Sequence, residues 1–283
     1  MNIHFKKYHG LGNDYLVIDP NVFDLTLTPE IVRLICDRHF GVGADGILYG
    51  PIIRDDFFSV RIFNPDGSEA EKSGNGLRIF AKYLFEHNYV HQKYFRIQTL
   101  GGIVELFMEN VDANLIKINM GKITFISTEI PVEGKTREVM NEELEINGSI
   151  YKMTCLSIGN PHCVIPMKQI SEEKARELGP FIENLDLFPH RINIQLLKII
   201  DEGNIEIQIW ERGAGYTLAS GSSSCAAAGA AHKLGLVGNK VNVKMPGGKL
   251  LVEISETQEA FLTGPAEGIF EGSFQPDFLR KLL

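Results

Sequence analysis

Alternating apolar and polar positions, bounded by Gly, Pro, Asn or Asp, recur from one end of the chain to the other. Residues 15–18, 59–63, 103–107, 205–210 and 250–254 carry this pattern, and a period of two marks half-buried strands. Helical periodicity is scarcer. It predicts helices over 29–39, with Thr28 as N-cap and Pro29 at the first helical position, over 76–88 and over 222–234, and a short helix at 172–178. Many strands with few helices, not strictly alternating, predict an α+β fold rather than a doubly wound parallel sheet.

The pattern also repeats. A strand ending at Phe63 leads into Asn64-Pro65-Asp66-Gly67, then Ser73-Gly74-Asn75-Gly76 and a helix with a broad apolar stripe. A strand ending at Trp210 leads into Glu211-Arg212-Gly213-Ala214-Gly215, then Ser220-Gly221-Ser222-Ser223 and a helix rich in alanine. Gly101-Gly102 and Gly247-Gly248 open one more strand in each series. Such an order predicts two pseudo-symmetric halves, each a mostly antiparallel sheet wrapped around a central helix. The first half is residues 1–118, with the tail 270–283 returning to it, and the second is 119–269. The small apolar run 226–231 suits a helix closely surrounded by sheet, and a cleft between halves is a usual place for a small-molecule site.

Composition narrows the function classes. The chain has 283 residues, 44% of them hydrophobic, and a formal charge of -8 with no basic run. A nucleic-acid partner is not expected, and an acidic protein that holds an anion must use local donors such as helix N-termini. Four cysteines, at 36, 155, 163 and 225, form neither a disulfide framework nor a zinc spacing, so buried reduced thiols and no metal are expected. No apolar run approaches a bilayer span, and no signal-peptide pattern opens the chain. The expectation is a cytoplasmic protein with no membrane partner.

The two Ser-Gly helix starts are the candidate chemistry. Serine is favoured as an N-cap, which alone accounts for one of them. Two at equivalent points of a repeat, both in Gly-rich surroundings that admit a ligand to the backbone, favour a site for a carboxylate.

Further motifs carry a resemblance. Tyr8-His9-Gly10-Leu11-Gly12-Asn13-Asp14-Tyr15, Gly41-Val42-Gly43-Ala44-Asp45-Gly46, residues 63–71, Gly159-Asn160-Pro161-His162, residues 210–215 and Gly264-Pro265-Ala266 resemble the signatures of diaminopimelate epimerases. They stand in that family's order over nearly the whole chain. The resemblance implies isomerisation at an amino-acid Cα without pyridoxal phosphate, metal or other cofactor. It also implies an amino-acid substrate, LL-diaminopimelate of lysine biosynthesis, and a homodimer. Gly74-Asn75 and Gly221-Ser222 would hold the α-carboxylate. Asn13, Asn64, Asn160, Asn193 and Arg212 would fix the distal group, and Glu211 with Asn64 the α-ammonium.

Where the family has its two catalytic cysteines this chain has Ser73 and Ser220, which are the candidate catalytic residues. A helix terminus depresses a thiol pKa, but an alcohol is far less acidic. His9 and His162 are the imidazoles the sequence offers as helpers, and Cys225, more than a turn beyond Ser220, should point elsewhere. Three readings stay open: an epimerase whose serines are activated by neighbours, an inactive amino-acid-binding protein, and an isomerase or dehydratase of another small acid. Changes beside both serines, Arg78-Ile79 for Arg-Cys and Gly221-Ser222-Ser223 for a Gly-Thr-Gly run, favour natural divergence over a designed replacement.

Overall fold

The computed structural model describes residues 4–23, 25–54, 57–110, 112–146 and 148–282. The chain divides into two compact units, residues 1–118 with 264–283, and residues 119–263.

In the first unit β1 (His4–Gly10) pairs antiparallel with β2 (Asn13–Ile18). Helix α1 (Pro29–Cys36) carries the chain across to β3 (Ile47–Arg54), parallel to β2, since parallel neighbours need a crossover. β4 (Phe57–Phe63) runs antiparallel to β3 and turns onto the two-residue β5 (Glu69–Ala70). Helix α2 (Gly74–Glu86) is the second crossover, leading to β6 (Tyr94–Thr99) parallel to β4. β7 (Gly102–Met108) and β8 (Leu115–Lys122) add antiparallel strands.

The second unit repeats this order element for element. After β9 (Glu142–Ile146), β10 (Ser149–Ser157) pairs antiparallel with β11 (Pro161–Pro166). Helix α3 (Glu172–Glu183) crosses to β12 (Asn193–Asp201), parallel to β11. β13 (Asn204–Glu211) and the short β14 (Gly215–Thr217) follow antiparallel, and α4 (Gly221–Lys233) crosses to β15 (Lys240–Met245), parallel to β13. β16 (Gly248–Ile254) and β17 (Glu259–Pro265) close the series antiparallel. The chain then returns to the first unit as β18 (Glu267–Ser273), paired with β1, and α5 (Pro276–Leu282). Residues 264–269, which the sequence groups with the second half, therefore lie with the first. The architecture is α+β, with a mostly antiparallel sheet and a central helix in each unit.

Both central helices are buried along most of their length, 75–84 in α2 and 223–231 in α4. Alanine at 226–228, 230 and 231, each fully buried, lets strands approach α4 closely. Around α1 and α5 the first unit packs Val32, Ile35, Phe5, Phe274 and Leu279. Around α3 the second packs Ala175, Leu178, Ile182 and Leu196.

Two helix ends differ from the pattern by more than two residues. α1 stops at Cys36, not 39, because the Asp37 carboxylate accepts from the N–H groups of His39 and Phe40 at 2.7 Å each and turns the chain. α3 runs on to Glu183 through Gly179 and Pro180. Gly179 lies so close under Trp210 that a Cβ there would come within 2.3 Å of the indole, and the fully buried Ile182 anchors the last turn. Packing overrides the local breakers there.

Candidate active site

Each unit builds one Ser-Gly helix start, and equivalent residues keep one constant separation along the chain. In the first unit Ser73 caps α2, its Oγ accepting from Gly76 N–H at 3.0 Å. The N–H groups of Gly74 and Asn75 precede the intrahelical ladder and carry the positive end of the helix dipole. The Tyr15 hydroxyl shares a hydrogen bond of 3.1 Å with Ser73 Oγ. Gly76 is closely packed, since a Cβ would meet Leu48 at 3.0 Å and the Ser73 side chain at 3.2 Å and its neighbours would have to give way.

Asn13 and Asn75 meet beside this helix start. Asn75 Nδ2 donates to Asn13 Oδ1 at 3.1 Å, and Asn13 Nδ2 donates to Asp45 Oδ2 at 3.0 Å. The fully buried Arg78 donates to Asn75 Oδ1 at 2.8 Å and to the carbonyls of Gly74 and Pro265. Behind them Lys7 and Arg38 grip Asp14 at 2.8 and 2.9 Å, and Arg38 also reaches Asp45 at 2.8 Å. Burial raises the Asp14 pKa, but hydrogen bonds from Arg38 and Lys7 outweigh it and hold the carboxyl down at about 2. An open cavity of about 370 Å³ is lined by Gly12, Asp14, Lys7 and Arg38 among others. Asn64 belongs to the neighbouring turn. Its Nδ2 donates to Ser68 Oγ at 3.0 Å, which leaves Oδ1 as its acceptor.

In the second unit Ser220 caps α4 less tightly, accepting from Ser223 N–H at 3.4 Å. Its hydroxyl also lies 3.5 Å from Ser222 Oγ and is close enough to the Glu211 carboxyl to favour its charged form. Burial pushes the Glu211 carboxyl above its ordinary pKa, with the Ser220 and Thr217 hydroxyls pulling the other way. Thr217 Oγ1 is near enough to act on that charge but makes no aligned hydrogen bond.

Asn160 meets Ser222 at 3.4 Å, the counterpart of Asn13 meeting Asn75. Asn160 Oδ1 also lies 3.0 Å from Nε2 of the fully buried His162. Burial depresses the His162 pKa to about 3 against an opposing effect of Gln195, and the Arg212 charge adds the smallest of the three effects, so His162 is neutral at pH 7. Asn193 spends its amide on the backbone, donating to Pro161 O at 2.7 Å and accepting from Arg212 N–H at 3.0 Å. The exposed Arg212 guanidinium donates to His190 O at 2.8 Å.

The structure thus brings Asn13, Ser73, Gly74 and Asn75 together in one unit. It brings Asn160, Ser222, Ser220 and Glu211 together in the other, with Asn193 fastened to Arg212. Neither imidazole is the helper the sequence offers. His9 lies 3.7 Å from Glu267, and His162 turns to Asn160. Tyr15, Arg78, Asp45 and Thr217 escaped the sequence reading, although Tyr15 and His162 occupy equivalent places of the repeat. So did Glu183, whose carboxylate holds the Arg212 loop by accepting from Gly213 N–H at 2.9 Å and Trp210 Nε1 at 2.7 Å. All four cysteines are buried and none is in a disulfide, and burial, first among the causes, pushes Cys36 up to about 12. Among the described residues no cluster of three or more His, Cys, Asp or Glu could hold a metal, and no helix is long and apolar enough to cross a membrane.

Residues 5–126 and 154–269 match the family model for diaminopimelate epimerase. A protein named diaminopimelate epimerase 2 from Nostoc sp. is 50% identical, covering 96% of each chain. Diaminopimelate epimerase of Pelotomaculum thermopropionicum is 41% identical, covering 96% of this chain and 99% of its own. Among solved structures, a probable proline racemase from Agrobacterium radiobacter superposes with TM-score 0.70 at 15% identity, covering 97% of this chain and 93% of its own. A hydroxyproline epimerase from Agrobacterium vitis gives 0.66 at 13% identity, covering 98% and 93%. These two likenesses bear on the fold.

Proposed function

The chain belongs to the diaminopimelate epimerase family, isomerases that work without pyridoxal phosphate, and from that membership we propose that it binds LL-diaminopimelate and inverts one Cα, with Ser73 and Ser220 handling the protons. The N–H groups of Gly74, Asn75, Gly221 and Ser222 hold the α-carboxylate, so charge developing at the carbanion meets oriented donors. Asn64 Oδ1 and Glu211 accept from the α-ammonium. Asn13, Asn160 and Arg212 fix the distal group, and Asn193 serves it by holding Arg212.

The observation that carries this reading is that each serine has a proton partner beside it: the Glu211 carboxyl, whose charged form the Ser220 hydroxyl favours, and the Tyr15 hydroxyl, hydrogen-bonded to Ser73 at 3.1 Å. An isolated serine is too weak an acid to act as a base near pH 7. In the Ser220–Glu211 pair, the Cα proton passes to Ser220 Oγ as the hydroxyl proton moves to the Glu211 carboxylate. A raised carboxyl pKa suits a general base. Ser73 gives its hydroxyl proton to the carbanion and takes one from Tyr15 OH, which solvent restores. We further place the protein in the cytoplasm as a homodimer, which sedimentation at micromolar concentration tests.

Pure protein incubated with LL-diaminopimelate in deuterated water should incorporate deuterium at Cα, and Glu211→Gln should slow that about 100-fold. The replacement of both family thiols by serine favours one rival, an amino-acid-binding protein on this scaffold. Calorimetric binding without any exchange supports that rival, and no binding at all sinks both.

A further inference from the structure

The chain of amides beside α2 has a direction. A guanidinium has only donors and a carboxylate only acceptors. Arg78 therefore turns Asn75 Oδ1 toward itself at 2.8 Å, so Asn75 Nδ2 faces Asn13 at 3.1 Å. Asn13 Oδ1 must then be the accepting end, and its Nδ2 faces Asp45 at 3.0 Å. Flipping either amide would set like against like at both of its ends. The orientation usually left to interpretation at Asn side chains is decided here from both termini.

Both ends are themselves held. Arg78 is fully buried and donates to the carbonyls of Gly74 and Pro265. Gly10 makes room for it, since a Cβ there would stand 3.1 Å from the guanidinium. Asp45 accepts from Arg38 and from Asp14 N–H. The cavity next to Asn13 has two cations, Lys7 and Arg38, on its wall. At the equivalent place in the second unit Asn160 has only ambivalent neighbours, the Ser222 hydroxyl and a neutral imidazole. Cys225 stands there where Arg78 stands in α2, the fifth residue of each helix.

We propose that Arg78 and Asp45 are positioning residues that lock the Asn13 amide as a hydrogen-bond donor, so that the first unit selects a ligand whose distal group is a carboxylate over one whose distal group is a carboxamide. One Asn13 N–H goes to Asp45, and the other is the group Asn13 offers a ligand. It requires an acceptor opposite, and a carboxylate is acceptor-only. The selectivity clause rests on the proposed diaminopimelate reading; the lock does not.

Two measurements separate them. In nitrogen-15 spectra of the ligand-free protein, the Asn13 side chain should give one pair of amide resonances. Arg78→Met or Asp45→Asn alone leaves one fixed end and should keep one pair, the two together should give two exchanging pairs, and Arg78→Lys with Asp45→Asn, which keeps a donor-only group, should restore one. Two pairs in the unaltered protein, or one pair in the double variant Arg78→Met with Asp45→Asn, overturn the lock. By calorimetry, that double variant should weaken LL-diaminopimelate about tenfold, the cost of one misdirected hydrogen bond, and its distal monoamide less than about twofold. Equal losses for both compounds would mean that Arg78 and Asp45 merely support the fold, and overturn the selectivity clause. If the unaltered protein binds neither compound while the single amide pair persists, the diaminopimelate reading and the selectivity clause fail together, and the lock stands.

Discussion

The two helix starts share a backbone and differ in nearly every side chain that could move a proton. Ser73 and Ser220 cap their helices alike, and Asn13 touches Asn75 as Asn160 touches Ser222. Gly101 N–H bonds Glu71 O just as Gly247 N–H bonds Leu218 O. Yet Tyr15 occupies the place of His162, Asn64 that of Glu211, and Arg78 that of Cys225. Duplicated features are those suited to holding an anion, for which any residue's N–H will serve. Features that diverged are those that set protonation. The acidic partner lies in the second unit, and the buried cation at the helix start in the first.

The largest effect should come from erasing the shared departure. Ser73→Cys with Ser220→Cys should raise Cα exchange of LL-diaminopimelate by about 10² to 10⁴-fold, the range for a competent acid or base, because a helix terminus readily yields a thiolate. Each single replacement should gain much less. Exchange unchanged in the double variant would mean that the scaffold around the serines has also lost its substrate.

Acid should unfold the two units in a fixed order. His162, depressed to about 3, contributes stability that is present above its unfolded value of 6.5 and lost as pH falls toward 3. Down to pH 4 that amounts to about 3 kcal/mol. Asp14, held at about 2, contributes stability present above 3.8 and lost only below that. Glu211, raised, acts oppositely, stabilising below its unfolded 4.5 and losing that contribution as pH rises through its folded value. Burial also lowers the pKa of His87 in the first unit, which therefore loses part of its stability below pH 6.5 as well. Hydrogen exchange followed by region should therefore show the second unit losing more protection than the first between about pH 6 and about pH 4. His162→Gln should remove that difference; equal losses in the two units of the unaltered protein would contradict the assignment.

Between those extremes lies a packing difference in the central helices. At one equivalent position α2 has the buried Lys82, bonded to Glu86 and Asn114, and α4 has Gly229, where a Cβ would come within 2.5 Å of Ile123. Gly229→Leu should cost about 1–3 kcal/mol through overpacking, measured by urea unfolding. A neutral result would mean that α4 is less tightly wrapped than its alanines indicate.

How far these differences were legible in the sequence follows from the range of the contacts that make them. The repeat, the central helices, both caps and the glycines could be read because periodicity and turn chemistry are local. Tyr15 with Ser73, and Arg78 and Asp45 acting on Asn13, could not be, because their partners lie on other strands and no spacing rule links them. The end of α3 was missed for the opposite reason. Gly179 and Pro180 are strong local stop signals, but Trp210, from distant sequence, packs on Gly179 and donates to Glu183 at the helix end, and outweighs them.

The smallest effect tests the caps themselves. An N-cap serine is worth typically about 1 kcal/mol against alanine. Ser73 accepts at 3.0 Å, and Ser220 at 3.4 Å while also serving Glu211. As a cap, Ser73→Ala should cost about 1 kcal/mol and Ser220→Ala about half that. Removing Ser220 also takes from Glu211 a hydroxyl that favours its charged form, and that loss matters only while the carboxyl is charged. The Ser220→Ala cost should therefore grow from pH 5 to pH 8, whereas the Ser73→Ala cost stays level. Urea unfolding at both values reads this directly. Parallel pH responses would mean that Ser220 is only a cap and that Glu211 does not depend on it, which removes the Ser220–Glu211 pair from the proposed chemistry.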